Sequence, residues 1–477
     1  MLKTPALPSC SRAAFPHRHH GPHRHHGTHG RSLSRLLLLP VLTHVVLVVL
    51  AFSSPVLTAA EPARKVTVTF PQTETAQKIT GRLFVFFSQR DREPKNGPDW
   101  FSPEPFYAKN VTDFASGSTE SLDDTADGFP GKLSELKPGT YRVQTLLHHD
   151  FYAFNPSRGV GNLYSEVATL EVPDAPWSLD LALTKKVEAR AMPEREWIKP
   201  VIYRSGLLSE FFHRDVEDRA VVILPKSYAE HPERRYPVLY SVSGFGGTVA
   251  DMANAFAQGP PEAKEGEIDP IRVMLSGECR WGHHVYADSA INGPRSRVLV
   301  EELIPRIDQQ FRTVASPRAR FVAGHSSGGW SSLWIQIQHP DVFGGVWSTA
   351  PDPVDFRDYQ ATNLYRDPVA SLYFDDQGEK KPIARRNGTP ALWYVDFGKM
   401  DDCLGYGGQL RSFEAVFSPL DADGLPKRMW ERSAGRVDPA VVDAWKKYDI
   451  NIQVRERWPE IGPKLAGKIH VAMGELD

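Results

Sequence analysis

The sequence predicts an α/β fold, a mostly parallel sheet with helices on both faces, preceded by an all-β sandwich and an N-terminal signal segment. Three observations predict it. Short alternating apolar and polar runs fill Lys65 to about Lys186, continuous apolar runs separated by amphipathic helical patterns follow from Arg219, and the first 60 residues resemble neither stretch. At 477 residues the chain exceeds one ordinary core, so two domains with terminal extras are expected. The boundaries drawn on this basis are a signal segment at 1–60, a β-sandwich of Ig-like size at 61–190, a linker at 191–210 and the α/β domain at 211–477.

The signal segment comes first. A basic stretch, SRAAFPHRHHGPHRHHGTHGR (11–31), precedes the apolar run LLLLPVLTHVVLVVLAF (36–52) and the small residues SSPVLTAA that end at Ala60. That order suits secretion with cleavage near Ala60; an uncleaved run of this length would be a single membrane anchor and the only membrane contact expected. Seven histidines between His17 and His29 have metal-ligating chemistry but fall in the discarded leader. Removing 1–60 takes away six Lys and Arg and no acids, which moves the net charge from -2 to -8. An acidic exported protein is a poor partner for nucleic acid, and the expected location is secreted or periplasmic. The remaining cysteines, Cys279 and Cys403, permit a disulfide without implying one.

In the sandwich region, KVTVTF, ITGRLFVFFS, LKPGTYRVQTLL, LYSEVATLEV and WSLDLALT alternate with period two and are punctuated by turn residues. This is the pattern of antiparallel sheets with one buried face each. The acidic run SLDDTADGF (121–129) lacks the spacing and closing glutamate of a calcium loop, so it reads as a solvated turn.

Beyond the linker, RAVVILP, PVLYSVSG, IRVMLSG, RFVAGHS and GGVWSTAP are too continuously apolar to be half exposed. Between them RSRVLVEELIPRIDQQF (295–311) carries Val298, Leu299, Leu303, Ile307 and Phe311 at helical spacing. Buried strands alternating with amphipathic helices mean a parallel sheet covered on both faces.

The chemistry concentrates at FVAGHSSGGW (321–330), where Gly324-His325-Ser326-Ser327-Gly328 matches G-x-S-x-G between a strand and a helical pattern. Glycines allow the sharp strand-to-helix turn that lifts a serine oxygen above the sheet edge, so Ser326 is the nucleophile candidate. Acyl transfer at a serine needs amide donors for the developing oxyanion. Ser327 supplies one, and SVSGFGGT (241–248), a glycine-rich loop after an earlier strand, supplies the other through Phe245 or Gly246. No G-K-[ST] follows these glycines, so a phosphate-binding loop is excluded.

From about Phe211 onward the order VILPKSY, RYPVLYSVSGFGG, WGHHVYADSAINGP, GHSSGGWSSLW and HPDVFGGVWSTAP resembles the putative-esterase family of α/β-hydrolases, which includes enterochelin esterase, esterase D and feruloyl esterases. The resemblance spans roughly 270 residues and implies a serine esterase that needs no cofactor or metal and acts on a small-molecule or carbohydrate-linked ester. Two features depart from the family: Ser243, where relatives often carry histidine, and a long insertion at about 355–465, expected to cap the site. Trp281, His283, His284 and Tyr286 are expected at the same rim, as a possible substrate pocket.

A nucleophilic serine needs an imidazole base and a carboxylate to orient it, in the chain order serine, acid, histidine. Asp352, Asp396 and Asp477 each end a strand-like run, and the family carries its acid in the turn that KIHVAMGELD (468–477) matches, so Asp477 ranks first. Of the later histidines, His339 precedes a proline at the far end of the elbow helix and His470 lies within a strand. Neither suits a base, so the expectation is an esterase whose histidine and final strand lie past residue 477. The alternatives are a binding protein on this fold, an enzyme with a rearranged base, or an acyltransferase.

Overall fold

A computed structural model describes residues 64–73, 77–149, 155–366, 368, 371–405, 407–422 and 424–474. The signal segment and its histidines, Asp477 and part of the turn before it lie outside the described residues.

The N-terminal β region holds two sheets. Strands Lys65–Thr69, Thr119–Leu122 and Ser178–Ala182 form a three-stranded sheet, and Lys78–Ser88, Phe106–Ala115 and Gly139–His148 are the long strands of a seven-stranded one. Strict alternation along Lys78–Ser88 sends Leu83, Val85 and Phe87 into the core between the sheets with Val66, Val68 and Trp177. Its other face does not meet water, as a one-faced sheet would. Phe84 and Phe86, with Phe106, Phe129 and Leu146, join the core of the C-terminal part of the chain. The run RLFVFFS is continuously apolar because this sheet is covered on both faces.

The C-terminal sheet contains β1 (Ile198–Arg204), β2 (Glu217–Ile223), β3 (Val238–Val242), β4 (Ile271–Leu275), β5 (Arg320–His325), β6 (Gly345–Thr349) and β7 (Ile469–Ala472). Their order is β1-β2-β4-β3-β5-β6-β7, parallel from β4 to β7 and antiparallel where β2 meets β1 and β4. The segment expected as a linker therefore contains the first strand of this sheet. At an edge β1 has only one hydrogen-bonding neighbour, which lets it carry Pro200 and an alternating, half-exposed pattern that reads as weak in sequence. At the opposite edge, β7 is exposed along its length rather than buried.

The helix expected over 295–311 forms with one irregularity, a π-helical stretch at Val298–Leu303 leading into Ile304–Gln310. Pro305 has no N–H to continue the regular ladder, and the wider turn ends beside it. Among the described residues between β6 and β7 lie the hairpin Pro382–Arg386/Thr389–Trp393 and four α-helices. Of these, α2 (Tyr394–Leu404), α3 (Gln409–Phe417) and α4 (Ile450–Leu465) pack near the elbow helix α1 (Ser327–Gln338) or the N-terminal sheet. An aromatic cluster joins the insertion to α1: Trp330 lies 5.2 Å from Phe417 and Trp334 5.8 Å from Tyr448 between ring centres.

Candidate active site

β5 runs directly into α1, and Ser326 is the residue between them, at φ 58° and ψ -126°. A non-glycine residue in that region is strained by about 1–3 kcal/mol, which the surrounding packing must offset. The packing is visible at the glycines. A Cβ at Gly324 would sit 2.0 Å from the Gly328 carbonyl oxygen, and one at Gly328 would sit 2.3 Å from the Val242 oxygen. The elbow is closed by backbone against backbone, so no side chain fits at either position. The Ser326 amide donates to the Thr349 carbonyl at 3.0 Å, tying the turn to β6. The Ser327 amide lies in the first turn of α1, where N–H groups have no intrahelical partner.

The glycine-rich loop after β3 lies against this turn. A Cβ built on Gly244 would be 3.6 Å from Ser326 Cβ. Gly247 N–H donates to the Gly244 carbonyl, and Gly246 has φ +90°, so Gly244 to Gly247 form a turn with Phe245 and Gly246 at its centre. Among the described residues the Gly246 amide has no hydrogen-bond acceptor, two residues along the chain from the Gly244 contact with Ser326.

Side chains hold this loop. Ser243 Oγ and Ser276 Oγ donate to the Gly247 carbonyl at 3.2 and 3.4 Å. His283 Nδ1 accepts the Val285 amide at 3.0 Å, which requires the proton on Nε2, and Nε2 donates to the Ser243 carbonyl at 3.0 Å. Burial pushes the His283 imidazole down to about 4, so it stays neutral in this one tautomer. His284 is likewise buried and held well below its ordinary value; its Nδ1 accepts the Tyr286 amide, and the Tyr286 hydroxyl donates to the Ser276 carbonyl. Trp281 is buried with Cys279, Ile291 and Ala415. Trp281, His283, His284 and Tyr286 do not form the exposed rim expected of them: these side chains are interior, and the two histidines and the tyrosine direct polar atoms onto backbone near the loop.

On the other side of the elbow Asp352, just past β6, accepts the Ser327 hydroxyl at 2.5 Å. It keeps some solvent contact, yet the protein packed round its carboxyl raises it to about 6 despite the Ser327 hydrogen bond and nearby His325, which both act to lower it. Asp396 lies in the first turn of α2 rather than at a strand end, 3.8 Å from Lys380. His339 caps α1 and pairs with Ser296 Oγ at 2.6 Å, while His470 bonds the Val346 carbonyl and stacks on Trp347 at 4.6 Å. Among the described residues no histidine hydrogen-bonds the Ser326 hydroxyl. Cys279 and Cys403 are both buried and unpaired as thiols.

One neighbour of the site left no local signal in the sequence. Trp100, from the N-terminal β region, lies 6.1 Å from Phe245 and 5.3 Å from Phe397 between ring centres.

A family model described as putative esterase matches residues 215–477. An endo-1,4-beta-xylanase/feruloyl esterase of Xylanibacter ruminicola is 30% identical over 142 residues, 26% of this chain and 18% of that protein. An esterase of Mycobacterium tuberculosis is 34% identical over 129 residues, 27% of each chain. The matched stretch thus spans about a quarter or less of these curated relatives. A solved ferulic acid esterase is 15% identical and the match covers 58% of this chain and 91% of that one, at a TM-score of 0.27.

Proposed function

This chain belongs to the putative esterase family, and from that premise we propose that it is a serine hydrolase of carboxylic esters working through an acyl-enzyme on Ser326. The observation that carries the reading is Ser326 itself, a strained residue at a helix N-terminus with the turn of Phe245 and Gly246 laid against it. In this reading Ser326 Oγ attacks the ester carbonyl and gives up its proton to a base. The carbonyl oxygen takes the negative charge within reach of the Ser327 amide and the Phe245 or Gly246 amide, and the alcohol leaves with a proton. Water then attacks the acyl carbon, and Ser326 regains its proton as the acid is released. Asp477 is the acid assigned to orient the base, on the family resemblance of its strand and turn.

The substrate is a small-molecule or carbohydrate-linked ester, and the composition of residues 1–60 supports secretion or a periplasmic location. The insertion between β6 and β7 supports substrate choice at the site's edge. The test is labelling of the purified protein by a fluorophosphonate, alongside hydrolysis of p-nitrophenyl acetate. Labelling that disappears in Ser326→Ala supports an activated serine. A parent protein that is folded yet neither labels nor hydrolyses would point instead to a binding role. Acyl transfer uses the same residues and would appear as ester exchange when an alcohol is added.

A further inference from the structure

Of the four residues Gly244 to Gly247, only Phe245 has a side chain. The ends of this turn are fixed by the hydrogen bonds to the Ser243 and Gly247 carbonyls. Those bonds do not reach its centre, and glycine leaves a backbone freer than any other residue does. Packing can therefore hold the centre of the turn only through the Phe245 ring. Because Gly244 abuts Ser326, a shift of the turn changes the distance from its amides to an oxyanion formed there.

Three separate parts of the chain meet at that ring. A Cβ at Gly282, the residue before His283, would lie 3.1 Å from Phe245 Cε2, so a glycine is what lets the ring lie against backbone. The same Cβ would lie 2.8 Å from Ser412 Cβ of α3 and 3.2 Å from the Gly407 oxygen, which brings the insertion to the same point. The third part is the N-terminal β region, whose Trp100 stands 6.1 Å from Phe245 between ring centres at 31°. That separation is within the range at which aromatic rings attract.

Trp100 is itself braced. Asp99 accepts the Phe101 and Ser102 amides at 2.9 and 3.0 Å, and Arg90 donates to the Ser102 carbonyl at 3.0 Å. The Phe87 amide donates to the Pro105 carbonyl at 2.9 Å, tying the loop to the end of strand Lys78–Ser88. The indole meets the buried Phe397 of α2 edge-on, at 5.3 Å and 85°. Further along α2 the Cys403 carbonyl accepts from Arg82 of the N-terminal sheet at 2.8 Å, and Arg82 pairs with Asp127 at 2.6 Å. Trp100 thus stands on a joint that holds the N-terminal sheet to the insertion.

We propose that Trp100 is a positioning residue for the candidate oxyanion turn, acting through the Phe245 ring, so that the N-terminal β region is a working part of the ester-cleaving site. The proposal rests on the esterase reading, so it is tested by one readout that needs an activated serine and one that does not. The first is the rate at which a fluorophosphonate labels the full-length protein, since the phosphonyl oxygen of the probe takes the place of the oxyanion. Trp100→Ala is expected to lower the maximal labelling rate about tenfold, while the probe concentration giving half that rate changes by less than about twofold, the mark of a displaced donor rather than of lost probe binding. Trp100→Phe, which keeps a ring beside Phe245 and Phe397, is expected to restore most of the rate. Phe245→Leu withdraws the ring itself. The double variant Trp100→Ala/Phe245→Leu is expected to label no more slowly than the slower single variant, because the two residues act through one contact. The second readout is hydrogen exchange: Trp100→Ala is expected to speed exchange across 241–248 and to leave 324–329 as in the parent. Circular dichroism and urea midpoints show which variants fold, and Phe245→Leu carries the comparison if Trp100→Ala does not. Parent-rate labelling by Trp100→Ala, fully additive losses in the double variant, or exchange at the turn that ignores Trp100 overturns the proposal. A folded parent that does not label overturns the esterase reading instead, and exchange across 241–248 then decides by itself whether Trp100 holds the turn.

Discussion

Two glycine-rich turns meet at Ser326, and they are held in place by opposite means. The elbow is set by exclusion: Gly324 and Gly328 have backbone oxygens where a Cβ would be, and no side chain is needed to keep the turn closed. The candidate oxyanion turn is set by attachment, through Ser243, Ser276 and a neutral, buried His283 that pins the Ser243 carbonyl. A site built on both has one half that close backbone contacts define, within the elbow and against the end of β3, and one half that depends on side chains, two of them about 30 to 40 positions away. The first half tolerates almost no substitution, and the second half is tunable.

The comparison breaks most visibly at the elbow. Gly328→Ala forces a methyl to within 2.3 Å of the Val242 oxygen and 2.7 Å of the Ser243 oxygen, and is expected to cost roughly 3 kcal/mol or more in urea unfolding, with loss of serine labelling. A well-folded, labelling variant would show that the elbow is looser than its backbone contacts imply. At the other turn His283→Ala should cost about 2 kcal/mol, because it strands the Ser243 carbonyl and the Val285 amide. It should also slow fluorophosphonate labelling by about 10–100-fold, the effect of an oxyanion donor moved off position. If labelling is unaffected, attachment through His283 is not what holds the turn.

Titration separates the two halves more finely. His283 is depressed to about 4 in the folded protein from an ordinary 6.5, so between those values the unfolded chain binds the extra proton and stability rises with pH. Asp352 is raised to about 6 from 3.8, so there the folded chain holds the extra proton and stability falls as pH rises. The two slopes oppose one another between pH 4 and 6. Asp352→Asn should therefore gain about 1–2 kcal/mol relative to the parent as pH goes from 4 to 6, a figure reduced for its residual solvent contact. His283→Gln should lose ground over the same range. Urea midpoints across pH check both, and parallel curves for parent and variants would remove the distinction. The smallest effect expected is Ser326→Gly, which relieves φ 58° and should stabilise the protein by about 1 kcal/mol while abolishing labelling.

Much of this half-and-half arrangement was legible in the residues. The parallel strands announced themselves as unbroken apolar runs, and the elbow as glycines at fixed spacing round a serine between strand and helix. The strand inside the expected linker was not legible, because an edge strand with a proline and one buried face looks like a connection. Nor was the interior position of His283, His284 and Tyr286. Polar residues in a loop read as rim, and only the packed structure shows their nitrogens and hydroxyl turned onto backbone.

By itself the sequence determined the features that depend on neighbours in the chain: strand and helix periodicity, and the glycines without which the elbow cannot close. Tertiary structure alone decided that the large N-terminal sheet is buried on both faces and that Trp100 reaches Phe245 across 145 residues. Local sterics act over a few bonds and leave a pattern in the residues that cause them. Contacts between distant segments depend on where each sheet face finds apolar cover, and no single segment records that.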